Sequence, residues 1–130
     1  MKLIRSAFIL LLVLFMLATC SQVSEPPGGE WTLVSLNGNP VVEGTQISLT
    51  FGDGQVSGSA GCNSYGGTFD SGGEGIEIAN LTMTLMACTD AGVMAQEGAY
   101  LAALEAVETF KVEDEQLVLS GPDVELQFKR

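Results

Sequence analysis

Four short stretches of this chain alternate apolar with polar residues, and that period of two constrains the fold more than any other feature. Ile47, Leu49 and Phe51 share one face of a stretch whose other face carries Gln46, Ser48 and Thr50. Phe110 and Val112, then Leu117 and Leu119, then Val124, Leu126 and Phe128 repeat the pattern. Such alternation belongs to half-buried antiparallel strands. Gly52-Asp53-Gly54, Glu113-Asp114-Glu115 and Gly121-Pro122-Asp123 supply the turns, as Asn37-Gly38-Asn39-Pro40 does after an opening strand over residues 31–36. Residues 55–61 are mostly small (Ser57, Gly58, Ser59, Ala60, Gly61), which places another backbone close by. Residues 66–70 read as a short strand, 71–75 as a loop tip and 76–79 as the return. Residues 81–86 are mostly apolar and compatible with a strand.

One stretch has a different period. From Asp90 or Ala91 to Val107 the chain is rich in Ala, Glu, Leu and Met, and Val93, Glu97, Tyr100, Leu101, Leu104 and Val107 recur at helical spacing. Thr89 or Asp90 is the N-cap, and Gly98 lies inside the helix at a cost of up to about 1 kcal/mol. Several strands, one helix and three strands give a mainly β (α+β) fold. It is an antiparallel meander forming a curved sheet or partly closed barrel, with the helix packed against it. The expected core is Trp31, Ile47, Leu49, Phe51, Leu101, Leu104, Phe110, Leu117, Leu119, Leu126 and Phe128. Met83, Met86 and Met94 sit at strand or helix spacing that reads as core rather than as an adaptable groove.

The N-terminal segment gives an address. Lys2 and Arg5 precede an uncharged run, AFILLLVLFMLA, and Leu17-Ala18-Thr19-Cys20 follows it. A basic start, a short apolar run and small residues before a cleavage point make a secretory signal. At 12 residues the run falls short of the roughly 20 needed to span a bilayer. The pattern resembles a bacterial lipoprotein signal, with residues 1–19 removed and Cys20 lipidated, although Thr19 stands where Gly or Ala is usual. The expected location is the cell envelope, anchored to a membrane by lipid on Cys20. Residues 20–29 then form a flexible tether, with Pro26-Pro27 giving extension and Gly28-Gly29 a hinge. The single domain spans residues 30–130.

Removing the signal leaves three basic residues against 16 acidic ones, a net charge of −13. Such a surface repels phosphate backbones, so nucleic acid is excluded as a partner. Cys62 and Cys88 remain once Cys20 is lipidated. In an oxidising compartment they form a disulfide, the alternative being two buried free thiols. The chain has no histidine, which removes the commonest proton-transfer group and the Ser–His and Cys–His nucleophile pairs. No metal or cofactor is expected: there is no second cysteine pair for zinc, no phosphate-binding glycine motif, and no spaced carboxylate ladder at residues 70–74.

Two blocks, Gly61-Cys62-Asn63-Ser64-Tyr65-Gly66-Gly67 and Thr84-Leu85-Met86-Ala87-Cys88, carry a family resemblance. Trp31, Leu33, Leu36, Asn37 and Gly38 at the start, Glu97 and Tyr100 in the helix, and the closing strand with Leu126 and Phe128 extend it. The chain resembles the META domain, the HslJ-like family of bacterial envelope proteins. Leu85 stands where the family often has Arg. The resemblance implies a mainly antiparallel domain with one helix, in proteins that are often lipid-anchored and associated with stress, including heat. It brings no established reaction.

The expected function is therefore non-catalytic: a monomeric, membrane-anchored domain with a stress-related binding or structural role. Its partner would be an unidentified protein or small ligand. The alternative is a small-molecule binder using the interior of the curved sheet. Asn63 and Tyr65 are the candidate binding residues on an exposed surface formed by residues 61–69 and 83–88. For Asn63 the competing reading is a side chain that satisfies backbone groups in a turn.

Overall fold

The computed structural model describes residues 25–130. The signal over residues 1–19, the lipid-bearing Cys20 and the tether up to residue 24 lie outside the described residues. The described residues form nine strands and one helix in order: β1 Gly29–Leu36, β2 Asn39–Pro40, β3 Ser48–Gly52, β4 Gln55–Ser59, β5 Ser64–Gly72, β6 Gly75–Met83, α1 Ala91–Ala106, β7 Thr109–Glu113, β8 Gln116–Ser120 and β9 Glu125–Lys129. They form one antiparallel sheet in which each strand neighbours the next, except that β3 pairs with β1 beyond the short β2. The sheet curves until β9 also pairs with β1, where Leu33 stands opposite Phe128 and Leu36 opposite Leu126. This is the mainly β meander with one packed helix that the alternation implies.

Tight turns make that order possible. Asn37 and Gly38, and Asp53 and Gly54, occupy left-handed conformations at φ 51° and 78°, and 51° and 72°. Two consecutive left-handed residues match the twist of the strands they join. The turn after β5 is also shorter than the sequence suggests. Gly72 pairs with Gly75, so β5 and β6 extend through the expected loop tip. A register shift with Asn80 at φ 55° lets β6 continue to Met83. A second shift between Leu33 and Ser35 sets Val34 out of register, which accounts for its 44% exposure.

The inward faces meet in one core. Trp31, Ile47, Leu49, Leu104, Leu117, Leu119 and Leu126 are fully enclosed, and Phe51, Phe110 and Phe128 are buried with them. Leu101, expected in that core, is only half-buried: it packs against the cluster from the flank of the helix. The three methionines are corrections, because Met83, Met86 and Met94 are exposed. Small residues in β4 serve the close approach their composition implies. A Cβ at Gly58 would run into the carbonyl group of Ser48, whose carbon lies 2.7 Å away.

The expected tether is docked from Pro26 onward. Pro26 is buried, the Trp31 indole donates to Pro27 O at 3.1 Å, and the Arg130 guanidinium donates to Gly28 O. That guanidinium lies 4.3 Å from the centre of the Trp31 ring, a cation–π contact. The two ends of the domain are thereby fastened to each other, and β1 takes in Gly29.

Candidate functional site

Asp90 is the cap of α1, accepting from the amides of Gly92 at 2.8 Å and Val93 at 3.3 Å. With that start, Gln96, Glu97 and Tyr100 all point from the helix toward the sheet. Gln96 holds the loop after β2: its Oε1 accepts from Val42 N at 2.6 Å and its Nε2 donates to Thr45 Oγ1 at 3.1 Å. Glu97 is 1% exposed. Its carboxylate accepts from the amides of Asn63 at 2.7 Å and Cys62 at 3.3 Å, and from Asn63 Nδ2 at 2.7 Å. Three N–H donors replace the water this carboxylate has lost.

Asn63 passes the connection on. Its Oδ1 accepts from Met86 N at 2.6 Å and from Thr84 Oγ1 at 2.9 Å, and its Nδ2 also donates to Met86 O at 3.3 Å. Thr84 N donates to Ser64 O at 3.0 Å. Beside this network Cys62 and Cys88 are joined by a disulfide, with their Cα atoms 6.2 Å apart. The stretch from Thr84 to Cys88 has left the sheet, yet it is held to the start of β5 by a covalent bond and several hydrogen bonds.

Two residues further on, within β5, Tyr65 repeats the arrangement. Its hydroxyl donates to Ser48 O at 2.8 Å, so the 2.7 Å contact between the hydroxyls of Tyr65 and Tyr100 is donated by Tyr100. The rings pack edge to face at 5.6 Å. Asn63, just before β5, and Tyr65, within it, are both turned inward, and residues three apart on a helix share a face. Asn63 and Tyr65 are therefore matched to Glu97 and Tyr100. Burial pushes both tyrosine hydroxyls up, away from the range of proton transfer near neutral pH. The Tyr100 hydrogen bond offsets this in part at Tyr65, while the neighbouring hydroxyl adds to it at Tyr100.

The two candidate binding residues are thus not exposed. Asn63 is 1% and Tyr65 5% exposed, and both polar ends are taken up inside the protein. The Asn63 side chain does satisfy backbone groups, those of Met86, but not within its own turn as expected: all its side-chain partners lie 21 to 34 residues away. What the surface offers at this point is apolar: Leu85 is 90% and Met86 56% exposed. The residue that sequence reasoning undervalued is Glu97. The one signal available was a carboxylate interrupting the otherwise apolar stripe of the helix. Among the described residues no cluster of His, Cys, Asp and Glu is placed to hold a metal ion, and no helix is long and apolar enough to cross a membrane.

Three solved structures share this architecture. An NMR structure of a protein from Burkholderia xenovorans superposes with a TM-score of 0.66 at 26% identity, covering 87% of this chain and 95% of that one. A second NMR structure gives 0.63 at 24% identity, covering 77% and 86%. A crystal structure of a DUF4847 family protein from Bacteroides vulgatus gives 0.60 at 19% identity, covering 78% and 92%. The last two speak for the fold alone. No curated protein matches the chain. The META domain family model matches residues 23–130, which takes in every strand, the helix and both halves of the buried network. The chain belongs to the META domain family.

Proposed function

We propose that this META domain is a non-catalytic envelope protein, carried on a lipid at Cys20, that acts through a contact surface in a stress-related role. The observation that carries this reading is the stretch from Met83 to Met86. Three exposed large apolar residues, Met83, Leu85 and Met86, lie in one short segment that the disulfide and Asn63 hold in place. Exposed apolar groups gathered on a surface mark contact sites. A segment already ordered loses little freedom when it binds.

The chemistry of the buried network supports a structural use of the family motifs. Glu97 is enclosed and committed to three donors, so it is not placed to take a proton from a substrate. The interior is filled with side chains such as Trp31, Tyr100, Leu104 and Phe128, each 0–1% exposed, which weighs against the interior small-molecule reading.

The test uses the full-length protein expressed in a bacterial envelope. Wild type is expected to partition into detergent and Cys20→Ser to be released or left unprocessed. Leu85→Asp is expected to keep the wild-type melting temperature and to lose partners that co-purify in mild detergent. A wild-type protein recovered wholly soluble with an unmodified Cys20 would remove the anchor. Undiminished partner recovery with Leu85→Asp would move the contact surface elsewhere.

A further inference from the structure

The sheet closes on itself with three to seven residue pairs at every joint but one. Between β6 and β7 the only strand pair is Gly75 with Thr109. Ile76 N still donates to Glu108 O at 3.0 Å. Beyond that point, among the described residues, no strand lies along the outer edge of β6 as far as Met83, and α1 stands across the gap. A hollow of about 700 Å³ runs between Ile78 and Asn80 on one side and Ala106 and Val124 on the other. A second, of about 300 Å³, lies where Met83 faces Leu101 and Ala102. Glu105 lines both and their β6 linings are consecutive, so the two hollows adjoin along the strand and are together called the groove.

We propose that this groove binds a basic peptide in extended conformation, which adds a strand to the outer edge of β6. An open strand edge presents a row of backbone donors and acceptors to any extended chain. Of the devices that blunt natural edges, β6 lacks Lys and Pro and carries Glu77 and the bulge at Asn80, which leaves the segment before the bulge open. The Ile76 amide is taken up by Glu108 O and the bulge at Asn80 bends the strand, so the straight part between them, residues 77–79, is where pairing occurs. At about 3.3 Å per residue this accepts about three peptide residues. The apolar pocket by Met83 and Leu101 then receives a side chain beyond the bend.

Charge selects the occupant. Among the described residues, Glu77, Glu105, Glu108 and Asp123 line the groove, and no Lys or Arg does. Backbone pairing gives affinity without regard to side chains, whereas four carboxylates reject acidic segments and favour basic ones. The inference depends neither on lipid at Cys20 nor on Leu85 and Met86; Met83 alone is shared with the surface proposed above.

The test uses full-length protein in mild detergent and a fluorescein-labelled peptide, Lys-Val-Lys-Val-Lys-Val, followed by fluorescence anisotropy. Saturable binding is expected, with amide NMR shifts confined to residues 76–83 and the facing side of α1. The same peptide N-methylated at every amide cannot pair with a strand and should bind at least about tenfold more weakly, as should Glu-Val-Glu-Val-Glu-Val. Glu105→Lys should weaken binding about tenfold. Glu30→Lys makes the same charge change on β1, four strands from β6 in either direction, and should stay within about twofold of wild type. Equal weakening by the two variants, or equal binding of the N-methylated peptide, would reduce the effect to general charge attraction and overturn the proposal. Absence of saturable binding, or self-association of the chain through the β6 edge, would overturn it as well.

Discussion

Glu97 grips Asn63 at two points, its backbone amide and its side-chain amide, each at 2.7 Å, although 34 residues separate them. Removal of the carboxylate strands three donors in a buried site. Glu97→Ala is expected to cost about 3 kcal/mol or more, since each buried donor left unmade costs about 1–3 kcal/mol. Asn63→Asp sets a second carboxylate against the first and should be at least as damaging. Urea denaturation of both variants checks this. A change within about 0.5 kcal/mol, the range of ordinary surface substitutions, would mean that the network carries no stability.

The disulfide supports the same segment from the other side. Its cysteines are 26 residues apart, for which the chain-entropy model gives about 3.5 kcal/mol. Cys62→Ser with Cys88→Ser should lose an amount of this order, and reduction of the wild type should lose the same. Labelling of the unfolded, unreduced protein with a thiol reagent should leave both cysteines unmodified.

The chain has only two tyrosines, and both lie in the core beside Ser48. Burial holds each hydroxyl above its ordinary value of 10. The folded state then binds more protons than the unfolded one once the pH passes about 10, so stability is level below that pH and falls above it. Tyrosine absorbance near 295 nm should show no ionisation until the protein unfolds. A reversible titration of either tyrosine near pH 10 in the folded protein would contradict this.

Two glycines should respond in opposite directions. A Cβ on Gly98 meets nothing within 4 Å, so Gly98→Ala should stabilise α1 by up to about 1 kcal/mol. At Gly58 the carbonyl group of Ser48 occupies the space a Cβ needs, so Gly58→Ala should destabilise by about 1–3 kcal/mol. Thermal unfolding of the two variants side by side gives the comparison.

The strands and helix were legible because their signals are local. Ile47, Leu49 and Phe51 alternate, Asp90 sits where a cap belongs, and Asp53-Gly54 suits a tight turn. Long-range placement was not legible. Asn63 and Tyr65 are polar residues in a glycine-rich stretch, which looks exposed until Glu97 and Tyr100 are brought over them. Pro26-Pro27-Gly28 has the composition of a linker, but Trp31 and Arg130 fasten it down. Met83 and Met86 have core chemistry, yet Met83 ends β6 opposite Tyr65 and Met86 follows in a stretch that has left the sheet, and both stay exposed. In each case the deciding partner is remote in sequence or belongs to the shape of the whole sheet.

Central to this account is that the family motifs build an internal clamp whose product is a fixed surface segment. Amide hydrogen exchange at Met86 tests it most directly, because that amide donates to Asn63 Oδ1 while its side chain is 56% exposed. Slow exchange at Met86 is expected in the wild type, with protection lost in Asn63→Ala while the amides of Leu117 and Leu119 stay protected. A Met86 amide that exchanges at the unprotected rate in the wild type would contradict the account.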